Sequence, residues 1–204
     1  GFEGYFMMKN LGCPFLLFSD PRLEGGAFYL GSEELENKIK KTIQYYLDYL
    51  DLTSKDLILS GLSMGTFPSL YYGAAFEPCA VIVGKPLANI GTIAKRGRLD
   101  APGVFNTSYD ILRHQTGGVS YQHMDDLDQR FWNVFKKANF TNTTFGLSYM
   151  KDEDMDSKAY DQLVEHLCYT GAKILSKGTS GRHNDDTDTN VAWFLHFYNM
   201  VLRE

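Results

Sequence analysis

A serine hydroxyl is a weak nucleophile until a base takes its proton, so a chain that uses one must hold it clear of the fold and near a histidine. Gly61-Leu62-Ser63-Met64-Gly65 offers such a serine. The apolar run from Asp56 to Leu62 reads as a strand and the stretch through Ala75 as a helix. Ser63 therefore stands on a strand-to-helix turn, the setting that a GxSxG elbow requires. On so sharp a turn the serine adopts strained backbone angles, and Gly61 and Gly65 are expected where strand and helix press closest. The same turn aims the Met64 N–H at the place where an oxyanion would develop. Pro68 constrains the helix start, because its missing N–H is tolerated only in the first turn.

The base must come from a distant segment. The sequence holds five histidines. His114 and His123 precede any segment that could carry the acid, His166 lies in a helical pattern beside Leu163 and Leu167, and His196 lies in the last helical pattern. His183 follows a strand pattern ending at Lys177 and precedes that last helix, where the chain order nucleophile, acid, base puts a histidine. The acid that orients the imidazole is expected after the preceding strand, in Lys151-Asp152-Glu153-Asp154-Met155-Asp156. Position alone leaves Asp152 and Glu153 equal. Asp154 and Asp156 read as acids of a solvated helix N-terminus, favoured there by the helix dipole. A calcium loop is excluded, since Ser157 and Leu163 stand where that loop needs Gly and Glu. The second oxyanion donor is expected after the run Phe15 to Phe18, from a backbone N–H near Asp20 or near Gly25, and the sequence does not choose between them.

These residues need a scaffold, and the chain alternates short apolar runs with helical patterns. Phe15 to Ser19, Asp56 to Leu62, Ala80 to Gly84, Thr144 to Met150 and Ala172 to Lys177 read as buried strands. Helices are expected over Ser32 to Leu50, with Ser32 as N-cap, and over Met124 to Lys137, Ser157 to Tyr169 and Thr189 to Leu202. Such alternation predicts an α/β fold, a mostly parallel sheet with helices on both faces, and the elbow makes it α/β-hydrolase-like. Residues 85–122 read as an irregular, Gly-rich insertion over the sheet edge, with a short helix near Tyr109 to His114. The whole of 1–204 is expected to be a single catalytic domain, and Gly1 followed by strand-like sequence suggests a piece of a longer protein.

Composition narrows the function classes. A net charge of −5 argues against a nucleic-acid binder, which needs clustered cations, and the one basic run, Lys95-Arg96-Gly97-Arg98, is short. Three cysteines without paired or metal-ligand spacing point to a reducing compartment and no metal. The apolar runs fall far short of the roughly 20 residues that span a bilayer, so no transmembrane segment is expected.

Beside that reading, GLSMGTFPSLYYGA (61 to 74), VGKPLANIGTI (83 to 93), QRFWNVFKKANF (129 to 140), YMKDEDMD (149 to 156) and SKGTSGRHND (176 to 185) carry a family likeness. Together they resemble the C-terminal hydrolase-like domain of the acetyltransferase component of the accessory Sec system in Gram-positive bacteria. The Gly-Lys-Pro-Leu and Gly-Arg-His-Asn-Asp neighbourhoods are far more specific than GxSxG. The resemblance implies a triad of Ser63, Glu153 and His183, which selects Glu153 over Asp152. It further implies O-acetylation of N-acetylglucosamine on serine-rich-repeat adhesins during export. The implied setting is cytoplasmic and peripheral at the membrane translocase, with other accessory Sec proteins and the translocase motor as partners. No bound cofactor is implied, and acetyl-CoA is the candidate acetyl donor. An esterase with the same triad, or a silent partner-binding module of the same fold, are the alternatives.

Overall fold

The computed structural model describes residues 4–23, 27–99, 108–185 and 187–203. Its frame is a four-stranded, wholly parallel sheet in the order β1 (Ile58–Leu62), β2 (Ala80–Gly84), β3 (Thr144–Met150), β4 (Lys173–Thr179). The helices are α1 (Tyr5–Lys9), α2 (Glu33–Tyr49), α3 (Thr66–Phe76), α4 (Ile90–Leu99), α5 (Ser108–Thr116), α6 (Tyr121–Phe135), α7 (Asp154–Leu167) and α8 (Thr187–Val201). Parallel strands need crossovers, and helices supply each of them, so both faces are covered. Strand alternation then divides the core. Val81, Val83, Phe145 and Leu147 point into a large cluster with α3, α6 and α7, whereas Ala80 and Ile82 meet Phe194, Phe197 and Tyr198 of α8. The fold is the α/β, hydrolase-like one that the alternation predicts.

The helix starts of α2 and α6 carry a serine cap. Ser32 caps α2 by accepting from the Leu35 N–H at 3.2 Å, with Glu33, Glu34 and Glu36 in the first turn. Three expectations fail. The opening residues are not strand-like, since Tyr5–Lys9 is helical. Phe15 to Ser19 joins no ladder; its residues and those of β1 line an apolar cavity of about 970 Å³, together with Ile43 and Leu47 of α2 and Phe194 and Tyr198 of α8. Side-chain type can signal a strand, but pairing needs a neighbouring ladder within reach. Leu16, Phe18, Tyr46, Tyr49, Leu50 and Leu202 line the same cavity and remain exposed.

The third correction concerns 85–122. The short helix is there as α5, but the described residues of the stretch are not irregular: α4 precedes α5, and Leu87, Ile90, Ile93, Ile111 and Leu112 belong to the main core, while 100–107 lie outside the described residues. Asn89 stands at the start of helix α4, but its side chain is taken by Trp132 and Gln162, and the cap is tertiary. Asp128 on α6 accepts from the N–H groups of Gly91 (2.6 Å) and Thr92 (3.1 Å) and from the Thr92 hydroxyl. The side chains of Lys95 to Arg98, on α4, lie outside the described residues. Among the described residues no helix is long and apolar enough to cross a membrane.

Candidate active site

The register of the sheet brings Leu62, Gly84, Ser148 and Lys177 level, so the segments that follow each strand gather at one end, where parallel sheets form crevices. Ser63 follows β1 directly. Its φ is 50°, in the left-handed region, which costs a non-glycine residue about 1–2 kcal/mol and persists only where its surroundings impose it. Those surroundings are identifiable. The Thr66 N–H and hydroxyl both donate to the Ser63 carbonyl, the hydroxyl at 2.6 Å, while the Leu87 N–H donates to Thr66 Oγ1 at 2.9 Å. A Cβ on Gly61 would lie 2.1 Å from the Gly65 carbonyl oxygen, so only glycine fits there. Gly65 differs from expectation: its φ is −68° and a Cβ there would meet nothing within 4 Å. Pro68 is the third residue of α3, where an absent N–H leaves no bond unmade.

His183 comes from the loop after β4, as expected. Its Nε2 lies 2.8 Å from Ser63 Oγ, and His183 is 5% exposed while Ser63 is half-buried, so the imidazole is shielded and the serine stays within reach of a substrate. The other histidines stand elsewhere. His123 bonds its helix cap Ser120 at 2.6 Å, His166 packs on Phe135, His196 packs on Trp193, and His114 lies in α5.

The acid departs from expectation. Nδ1 of His183 lies 2.6 Å from Asp156 Oδ1, and the carboxylate on the imidazole is therefore Asp156, not Glu153. Asp156 is fully buried, and its other oxygen accepts the Met150 N–H at 3.3 Å. The expectation of a solvated helix-end acid fails because α7 begins at Asp154 rather than Ser157, so Asp156 lies inside the helix and shares the inner face of Ala159 and Leu163. Asp156, Ala159, Leu163 and Leu167 form one buried stripe at three- and four-residue intervals. That stripe was readable in the sequence once the helix start was placed correctly. Glu153 occupies the N-cap position with extended backbone (φ −112°, ψ 114°), and its carbonyl accepts from the Ser157 N–H and hydroxyl. Asp152 has a different task. Its carboxylate accepts the Gly181 N–H at 2.7 Å and its own N–H donates to the Gly181 carbonyl at 3.2 Å, which clasps the loop carrying His183 to the end of β3.

The loop expected to supply the second oxyanion donor is folded round a carboxylate. Asp20 accepts from the Arg22 guanidinium at 2.6 and 2.7 Å and from the N–H groups of Ala27 (3.2 Å) and Tyr29 (2.8 Å). Burial works to raise the Asp20 pKa, but these donors together hold it below its ordinary value. The Ala27 and Tyr29 amides are thereby committed, and Gly25 lies outside the described residues. Met64, in the turn after Ser63, packs its side chain against the main core.

The arrangement has a definite chemical capacity. With Asp156 accepting at Nδ1, the ring proton resides there, and the Nε2 lone pair is left to accept the Ser63 hydroxyl proton, the tautomer assignment following from this hydrogen-bond network. A serine, a base and an orienting carboxylate in that order can form and resolve a covalent acyl intermediate.

Known proteins resemble the chain in sequence and in fold. A family model described as accessory Sec system GspB-transporter matches residues 1–204. An accessory Sec system protein of Streptococcus gordonii is 52% identical over 204 residues, covering 100% of this chain but 40% of the relative. The chain thus spans about two fifths of that relative's length. Among solved structures, the Glycosylation Associate Protein (Gap123) complex from Streptococcus agalactiae contains a chain that matches with a TM-score of 0.93 and 46% identity, over 99% of this chain and 39% of that one. The capsule O-acetyltransferase of Neisseria meningitidis serogroup A shares the fold, with a TM-score of 0.68 at 18% identity over 91% of this chain and 73% of that one. A form of the same enzyme in complex with CoA gives a TM-score of 0.65 at 18% identity, over 89% and 73% of the two chains.

Proposed function

The chain belongs to the accessory Sec system GspB-transporter family, and on that premise we propose that residues 1–204 are a serine-dependent O-acetyltransferase domain. The observation that carries this reading is the continuous line from Ser63 Oγ through the His183 imidazole to the Asp156 carboxylate. Both links are short, buried on the imidazole side, and built from three segments that the strand ends bring together.

In the first half-reaction His183 Nε2 takes the Ser63 proton as Oγ attacks the acyl carbonyl. Asp156 holds the imidazolium that results, and the Met64 N–H donates to the developing oxyanion. Collapse expels the donor's leaving group, which receives the proton from His183. A sugar hydroxyl then gives its proton to His183 and attacks the acyl-serine, which returns Ser63 to its starting state. Acetyl-CoA is the proposed donor, supported by the CoA complex of the capsule O-acetyltransferase that shares this fold. The proposed acceptor is N-acetylglucosamine on serine-rich-repeat adhesins, as the sequence resemblance implies. Family membership and the likeness to a chain of the Gap123 complex support a place beside other accessory Sec proteins at the translocase on the cytoplasmic side.

Incubating the purified protein with acetyl-CoA and an N-acetylglucosamine-bearing glycopeptide tests the reading by mass spectrometry. Acetylated glycopeptide is expected with the native protein and none with Ser63→Ala. Equal transfer by Ser63→Ala rejects it, and hydrolysis of the donor without any sugar product makes the domain an esterase.

A further inference from the structure

The Gly84-Lys85-Pro86-Leu87 motif stood out in the sequence, yet the three reacting side chains do not use it. It begins at the last residue of β2, between the strands that lead to the nucleophile and to the acid. Lys85 has a φ of 58°, an uncommon conformation for a long side chain. Its N–H donates to the Ser148 carbonyl at 2.8 Å, which extends the β2–β3 ladder past the strand end. The residue is only 5% exposed, and its Nζ donates to the backbone carbonyl of His183. Two residues on, the Leu87 N–H donates to Thr66 Oγ1, which in turn donates to the Ser63 carbonyl. Four consecutive residues thus touch the nucleophile turn on one side and the base loop on the other.

A buried position that only needed filling would favour an apolar side chain, because enclosing an ammonium is costly unless it makes specific polar bonds. Here the ammonium reaches the one backbone carbonyl that belongs to the base itself. Asp152 clasps the same loop two residues earlier, at Gly181, and Asp156 holds the imidazole. Asp185 ties the loop to itself at Arg182, whose N–H it accepts at 2.9 Å, and Lys85 adds the tie from the end of β2 to the His183 main chain. We propose that Lys85 is a positioning residue for acyl transfer, whose ammonium fixes the His183 main chain at the distance from Ser63 that proton transfer requires. The proposal rests on the Ser63–His183–Asp156 reading and adds to it the link by which β2 sets the two catalytic segments relative to each other.

Lys85→Met keeps the length and apolar stem and deletes the donor. Misplacement of a catalytic group by about 1 Å can cost on the order of a hundredfold. We expect kcat for acetyl-ester turnover to fall about 10- to 100-fold with KM within about twofold, since substrate binding is untouched. The downfield proton resonance of His183 Nδ1, bonded to Asp156, should broaden or shift in the same variant. A folded Lys85→Met with native kcat, a loss that appears in KM instead, or an unchanged resonance would each overturn the proposal. If Lys85→Met does not fold, Lys85→Gln, whose amide stops short of the carbonyl, takes its place with the same expected loss, and native turnover by it is equally fatal. Ser63→Ala is measured alongside. If it retains turnover, the triad reading falls and the Lys85 proposal with it; if it is inactive while Lys85→Met is unimpaired, only the Lys85 proposal falls.

Discussion

The two ends of the proposed relay are built on different principles. At the Ser63 end the geometry is local: strand, left-handed serine, one glycine that must be a glycine and the start of the following helix all lie within Ile58–Phe76. At the Asp156 end nothing local marks the acid. Four carboxylates stand within Asp152 to Asp156, and their tasks are divided by which way the chain turns after β3. Asp152 faces the Gly181 loop, Glu153 stands at the N-cap position of α7 without capping it through its side chain, and Asp156, one turn further, faces the imidazole. A nucleophile corner can be specified by a motif, whereas an acid corner is specified by helix phase.

That contrast can be attacked from both ends. The largest effect is expected for Asp156→Asn, which removes the charge that holds the imidazolium and permits the wrong tautomer, a change worth up to about 10⁴-fold in kcat. Turnover of an acetyl ester by the folded variant is the measurement, and a loss smaller than that of Glu153→Gln would hand the role back to Glu153. Next comes Gly61→Ala, whose methyl meets backbone at 2.1 Å. Overpacking of this kind costs about 1–3 kcal/mol, and because the displaced atoms carry Ser63, reaction with a fluorophosphonate should slow by roughly a hundredfold. Asp152→Ala opens the Gly181 clasp without touching a reacting atom; a loss of about tenfold in kcat is expected, equivalent to about 1.4 kcal/mol. The smallest effect belongs to Gly65→Ala, where a Cβ has open space and φ is ordinary. Its thermal unfolding should move by no more than about 0.5 kcal/mol, and a change as large as that of Gly61→Ala would show that both glycines are structural.

The same division explains what the sequence could reveal. Strands β2 and β3 were predictable to the residue, β2 because a fully buried parallel strand is a continuous apolar run, and β3 from Phe145, Leu147, Tyr149 and Met150. Ser63 and His183 were legible from an elbow motif and from chain order. The place of Asp156 beside His183 was missed through a three-residue error in the start of α7: with the helix begun at Ser157, Asp156 fell outside it and was not counted on the face of Ala159 and Leu163. The resemblance selected Glu153, whereas the carboxylate that lies on the His183 imidazole is that of Asp156. Helix α4 was missed although Asn89 precedes it; the carboxylate that caps it, Asp128, comes from a different helix, and no local window contains it.

The apolar cavity beside β1 bears on how this protein behaves in a tube. Six large apolar or aromatic residues on its walls reach water, next to a strand that ends the sheet among the described residues. Contiguous apolar surface beside an open edge favours contact between molecules. A net charge of −5 opposes that contact through repulsion that added salt screens. Self-association driven from this face therefore grows with sulfate and with modest warming and recedes on chilling, because apolar contacts strengthen under the first two conditions and weaken under the third. Cold, low-salt buffer is the condition under which the domain stays dispersed.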